Sequence, residues 1–197
     1  MSATRTLTLV DLAPPRAGML RDVALVVVAS IVTALAAQIA IPLPWTPVPI
    51  TGQTFAVLLL GAVLGARRAF LAQALYLAEG AFGLPVFAGG AGGIAKLMGP
   101  TAGYLIAFPL AAAVTGLLAE RGWDRKFVTM FAAMLLGSAV IFALGLAWLS
   151  RFVPTPTLLA QGLLPFVPGD FVKATLAAVA FPAAWRMIGR FDRTPGA

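Results

Sequence analysis

Phe127-Val-Thr-Met-Phe-Ala-Ala-Met-Leu-Leu-Gly-Ser-Ala-Val-Ile-Phe-Ala-Leu-Gly-Leu-Ala-Trp-Leu149 contains no charged side chain. At a rise of about 1.5 Å per residue, a helix over this stretch crosses the roughly 30 Å hydrocarbon core of a bilayer. Its apolar residues follow no single stripe, and a helix that is apolar all round belongs in lipid or deep inside a large protein. At 197 residues the chain is too small for the second option. Composition agrees: 60% of residues are hydrophobic and 11% charged, against about 45–50% and 25% in soluble domains.

Working outward from this span, the same reading predicts five more: Val23 to Ile41, Thr54 to Gly65, Ala69 to Ala81, Thr101 to Ala119, and Asp170 to Ile188. The expected organisation is a tail at 1–22, a six-helix membrane domain at 23–190 and a second tail at 191–197. The second and third spans are shorter than the roughly 20 residues that a straight crossing needs. Between the spans lie irregular stretches. Pro42, Pro44, Pro47 and Pro49 forbid a helix after the first span, because each proline removes a donor and clashes with the preceding turn. Glycines crowd 83–93, and Pro154, Pro156, Pro165 and Pro168 follow the fifth span. Irregular backbone at membrane depth is tolerated only where protein or water covers it. The pattern therefore predicts an all-α integral membrane protein with a substrate pocket on the side where these loops meet.

The net charge of +7 resembles that of a nucleic acid binder. The basic residues, however, fall in short clusters between apolar runs. Arg5, Arg16, Arg21, Arg67, Arg68, Arg121, Arg125, Lys126, Arg186, Arg190 and Arg193 fall on one side of the predicted topology; only Lys96, Arg151 and Lys173 fall on the other. The positive-inside rule then places both termini in the cytoplasm and the pocket outside, in the plasma (inner) membrane. No nucleic acid partner is expected. The chain has no Cys and no His, which removes thiol nucleophiles, His bases and His/Cys metal sites. No Walker A pattern is present, so ATP hydrolysis by a P-loop is not expected of this chain.

The polar residues of the outer side are the site candidates. Asp170 and Lys173 are three apart and share a helix face; Asp170 could instead cap the sixth helix, with Lys173 snorkelling outward. Tyr76 and Glu79 stand at the end of the third span, as a binding pair or as an interfacial belt. Lys96 follows Gly89-Gly90-Ala91-Gly92-Gly93, which either brings N–H groups to an anion or forms a plain turn. Gln53 sits at the mouth of the second span. Ser30 with Ala34, and Ala36 with Ala40, are small residues at helical spacing, suited to receiving a partner helix.

Three segments carry a family resemblance. They are Ile41-Pro-Leu-Pro-Trp-Thr-Pro-Val-Pro-Ile-Thr-Gly-Gln-Thr54; Tyr76-Leu-Ala-Glu-Gly-Ala-Phe-Gly-Leu-Pro-Val-Phe-Ala-Gly-Gly90 with Gly99-Pro-Thr-Ala-Gly-Tyr104; and Pro165-Phe-Val-Pro-Gly-Asp-Phe-Val-Lys173. With these the chain resembles the BioY family, the biotin-specific substrate-binding (S) components of energy-coupling factor (ECF) transporters. The resemblance implies six helices and an extracellular-side biotin pocket. It also implies a partner transmembrane coupling protein and a pair of ATPases that spend ATP elsewhere. It places ligand contacts at Asp170 and Lys173, and at Tyr76 and Glu79. Biotin's ureido ring offers two N–H donors and a carbonyl acceptor, matching a carboxylate and an ammonium. Its bicycle wants apolar walls, for which Trp45, Phe87 and Phe166 are candidates. Its valerate carboxylate wants N–H groups or a cation, from the 89–93 glycines, Lys96 or, with the ring reversed, Lys173. On this reading the chain is not an enzyme and needs no cofactor or metal. A homo-oligomer is left open. The rival readings are an S component for another vitamin, an intramembrane enzyme, and a purely structural subunit. The enzyme reading is weakened by the lack of His and Cys.

Overall fold

A computed structural model describes residues 8–12 and 18–191. Within them the regular structure is helical apart from one hairpin of two two-residue strands, and irregular loops join the helices. The longer helices are α1 (Gly18–Gln38), α2 (Gln53–Leu64), α3 (Ala66–Ala81), α5 (Ala102–Ala119), α6 (Phe127–Leu149) and α8 (Val167–Phe191); α4 (Ile94–Met98) and α7 (Leu158–Gly162) are single turns in the connections. Four stretches are long and apolar enough to cross a membrane: Gly18–Gln38, Ala102–Ala119, Phe127–Leu149 and Thr155–Ile188, which contains most of α8; α2 is apolar but shorter.

Helix α5 is the hub, packed against α6, α2 and α3. Small residues make these approaches possible where no hydrophobic effect drives helices together in lipid. A Cβ placed on Gly61 of α2 would lie 2.6 Å from the Ala112 carbonyl oxygen of α5, so only hydrogen fits there. Polar pairs join α1 to α3: the Ser30 hydroxyl donates to Glu79 Oε1 (3.0 Å), and Gln73 Nε2 donates to Thr33 Oγ1 (3.0 Å).

Several boundaries differ from the sequence reading, each for a local reason. Within the described residues helix α1 already runs from Gly18, inside the expected tail, and there Asp22 is held by Arg68 Nε at 2.8 Å and the Arg21 guanidinium donates to the Val10 carbonyl. Residues 1–7, 13–17 and 192–197 of the two expected tails lie outside the described residues. Arg67 and Arg68, which the sequence reading leaves between the second and third spans, belong to the first turn of α3. The turn is Gly65 alone, at φ +78°, a conformation that glycine adopts without a Cβ clash. Glu120 Oε1 then accepts the Ala66 N–H at 2.9 Å and caps α3. Helix α8 starts at Val167, so Asp170, whose N–H donates to the Phe166 carbonyl (2.9 Å), is inside the helix and is not its N-cap.

The molecule has two unlike ends. At one, β1 (Ala40–Ile41) pairs antiparallel with β2 (Ile50–Thr51), with Ala40 opposite Thr51. The proline loop between them is pinned where the Thr46 hydroxyl donates to the Gln161 carbonyl (2.8 Å). The opposite end carries the basic clusters. Arg68 Nη1 meets Asp11 Oδ1 at 2.7 Å while its Nε holds Asp22. Burial alone would raise the Asp11 pKa, but hydrogen bonds from Arg68 and Thr8 outweigh it and hold the carboxyl below its ordinary range. Buried Asp124, in the 3-10 turn Trp123–Arg125, accepts from Trp185 Nε1 at 2.6 Å, and Arg125 lies 4.4 Å over the Trp185 ring.

The small-residue pairs of the first span are buried to different degrees. Ser30 is fully buried against α3, Ala34 packs on the core, Ala36 is half-buried and Ala40 lies in β1. The exposed face of α1 is instead a bulky one, with Val28, Ile31, Leu35 and Ile39.

Candidate functional site

A cavity of about 330 Å³ opens at the hairpin end, between the starts of α2, α5 and α8, the middle of α6 and the loop before α4. Its charged corner comes from α8. One turn of helix separates Asp170 from Lys173, so both face the N-terminus of α2. Lys173 Nζ donates to Thr54 Oγ1 at 2.8 Å and to the Thr51 carbonyl at 3.3 Å, and it lies 3.5 Å from Asp170 Oδ1. The ammonium is therefore turned inward and does not snorkel. The Asp170 side chain is 7% exposed, and its Oδ2 is buried without a hydrogen-bond partner among the described residues. A buried carboxylate oxygen left unpaired costs free energy, and a ligand N–H brought to it recovers that cost.

Next to this corner Gln53 is buried, accepting from the Thr51 hydroxyl at 3.1 Å and donating to Tyr76 Oη at 2.5 Å. The Tyr76 hydroxyl in turn donates to the Val86 carbonyl at 3.1 Å. Its ring meets Phe87 edge-on, centroids 5.5 Å apart, and lies 6.5 Å from Phe108. Tyr76 therefore stands behind the wall, fixing Gln53, Phe87 and Phe108, which line it. The lining continues with Tyr104, Phe142 and Phe166, with Tyr104 edge-on to Phe142 at 6.4 Å and its hydroxyl donating to the Gly162 carbonyl at 2.8 Å.

The glycine loop is folded back on the bundle. The Phe87 N–H donates to the Ala91 carbonyl (2.9 Å), and the Gly93 N–H to the Gly80 carbonyl (2.7 Å). Gln38 of α1 donates to the Phe87 carbonyl (3.3 Å) and accepts the Gly90 N–H (3.1 Å). This clasp positions Phe87 and the half-buried Lys96, which both line the cavity.

Of the residues expected at the site, Gln53, Phe87, Lys96, Phe166, Asp170 and Lys173 line the cavity. Three do not. Tyr76 is one layer behind. Glu79 points to α1, where Ser30 holds it. Trp45 is 59% exposed in the proline loop. The sequence reading did not single out Thr54, Thr101, Tyr104, Phe108 and Phe142, all of which contribute to the lining. Thr54, Thr101 and Tyr104 lie inside the quoted motifs. Phe108 and Phe142 sit mid-span and look like any lipid-facing aromatic in sequence.

Comparison with known proteins agrees with this layout. The probable biotin transporter BioY of Pyrococcus horikoshii is 43% identical over 159 residues, covering 81% of this chain and 93% of that protein. The biotin transporter BioY of Rhizobium etli is 40% identical over 159 residues, covering 77% and 85%. The fold matches a crystal structure of the S-component for biotin from an ECF-type ABC transporter, with a TM-score of 0.74 at 26% identity over 93% of this chain and 97% of the other. The BioY family pattern itself runs over residues 4–190. A helical membrane bundle with a lined cavity at one end, matched along nearly its whole length, makes this chain a member of the BioY family.

Proposed function

We propose that the chain captures biotin as the S component of an ECF-type transporter, crossing the membrane six times with both termini in the cytoplasm. The observation that carries the ligand assignment is the Asp170–Lys173 corner: both residues line a largely apolar cavity, and Asp170 Oδ2 is buried without a partner among the described residues. Biotin's ureido N–H groups fit that oxygen, its ring carbonyl fits the Lys173 ammonium or a neighbouring hydroxyl, and its bicycle fits between Phe87 and Phe166. Tyr76 and Gln53 act by holding this wall in shape.

Helices α2 and α3, with 12 and 16 residues, reach only about 18 and 24 Å. The proline and glycine loops cover the remaining depth and roof the cavity. Among the described residues the cavity end carries Lys96, Arg151 and Lys173, while Arg21, Arg67, Arg68, Arg121, Arg125, Lys126 and Arg186 lie at the other. That asymmetry supports an extracellular cavity. The chain holds no Walker A pattern. On this reading, inward release draws on the separate transmembrane coupling protein and ATPase pair that the resemblance to ECF S components implies.

Equilibrium binding of labelled biotin to the purified chain, with a competition panel of other vitamins, tests the ligand. Biotin should compete best; displacement by thiamine or riboflavin instead would transfer the site to that vitamin. The chain has no cysteine, so single Arg67→Cys and Arg151→Cys variants in intact cells test the topology. An impermeant thiol reagent should label the second and spare the first.

A further inference from the structure

Three charged residues line the cavity: Asp170, Lys173 and Lys96. Asp170 and Lys173 face each other at 3.5 Å and cancel. Lys96 is half-buried on α4, and among the described residues no carboxylate or hydrogen-bond acceptor engages its ammonium. Its backbone is fixed, since its N–H donates to the Gly93 carbonyl (3.1 Å) and the Gly99 N–H donates to its own carbonyl (3.3 Å). The lining is thus left with one uncompensated positive charge, set in a largely apolar enclosure where charge interactions are stronger than in water.

We infer that Lys96 is a specificity-determining residue that selects a monoanionic ligand by pairing with its carboxylate. This inference rests on the biotin reading and fixes the ligand's orientation within it. A carboxylate placed against Lys173 would also lie against Asp170 and be repelled. The Lys173 ammonium is moreover already engaged by Thr54 and Thr51. The neutral ureido ring therefore takes the α8 corner, and the valerate chain extends toward Lys96. A neutral ester or amide of the same ligand would leave the Lys96 ammonium unpaired in the occupied cavity.

The test is competition against labelled biotin by biotin, biotin methyl ester and biotinamide on the purified full chain. The unmodified chain should bind the ester and the amide about 10- to 100-fold more weakly than biotin, the loss of one charged hydrogen bond. In Lys96→Met, biotin should weaken while the ester holds its affinity or gains, closing the gap to within about threefold. Lys96→Arg should keep the gap. Should Lys96→Met not fold, Lys96→Gln carries the same expectation, and the acid–ester comparison on the unmodified chain needs no variant. Equal affinity for acid and ester in the unmodified chain, or a gap that survives in Lys96→Met, overturns the inference and leaves the biotin reading standing. Binding of neither acid nor ester refutes the biotin reading itself and this inference with it.

Discussion

Asp170→Asn is the substitution whose outcome says most about the cavity. The change keeps the shape of the side chain and removes its charge. In the structure the carboxylate has a donor on one side only: Lys173 Nζ lies 3.5 Å from Oδ1, while the buried Oδ2 receives nothing from the described residues and is left for the ligand. An amide has one acceptor and one NH2 group, so it can serve one side only. If its oxygen turns to the ligand, its NH2 meets the Lys173 ammonium; if it turns to Lys173, its NH2 meets the ligand's N–H groups. Either way a charged hydrogen bond to the ligand is lost or opposed. That is worth about 1.5–3 kcal/mol, or about 10- to 150-fold in Kd. The protein without ligand should behave differently. The Asp170–Lys173 contact is long, and Lys173 keeps Thr54 and Thr51. Removing a buried, half-satisfied charge offsets the loss of that contact, so stability should change by less than about 1 kcal/mol. Labelled-biotin binding and thermal denaturation of the same detergent-solubilised preparation measure the two quantities. An affinity within about threefold of the parent would refute the assignment of Oδ2 to the ligand. A large fall in melting temperature would instead make Asp170 a structural residue.

Three further outcomes are expected. Tyr76→Phe strips the acceptor from Gln53 Nε2 and the donor from the Val86 carbonyl. It should destabilise the chain by about 1–3 kcal/mol, seen as a lower melting temperature both with and without biotin; an unchanged melting temperature would remove Tyr76 from the wall's support. Gly80→Ala drives a Cβ into the Phe87 ring, so it should cost about 1–3 kcal/mol and weaken biotin binding through a displaced wall; full binding with normal stability would contradict the packing. Asp124→Asn tests the opposite end. Burial lifts the Asp124 carboxyl above its ordinary value of 3.8, and Trp185 and Arg125 lower it only in part. The folded chain thus holds this proton at a pH where the unfolded chain has released it. Stability from this group is therefore present below 3.8 and lost as pH rises through the raised folded value. Asp124→Asn, which keeps an acceptor for Trp185, should melt higher than the parent at neutral pH and should flatten this decline; a lower melting temperature at every pH would reject the argument.

Membership of a membrane, the positions of the long helices and the polar corner of the cavity were all legible in the chain itself. Phe127 to Leu149 has one thermodynamically acceptable environment whatever surrounds it, because every residue is uncharged and lipid demands a helix. Prolines 42–49 exclude a helix by covalent geometry. Asp170 and Lys173 share a face through helical periodicity alone. What the chain could not reveal is where side chains aim once helices pack. Glu79 and Tyr76 sit on one helix, three residues apart. Ser30 on α1 draws Glu79 away, while Gln53 and the Val86 carbonyl hold Tyr76 behind the wall. The sequence reading leaves Arg67-Arg68 between two spans, but the turn falls at Gly65, because a positive φ and the Glu120 cap from a distant loop decide it. Phe108 and Phe142 became cavity walls only when α5 and α6 met. Sequence fixes which environments a segment tolerates, since that depends on its own atoms. Which residues converge on one ligand depends on contacts between segments far apart in the chain, and only the packed structure decides those.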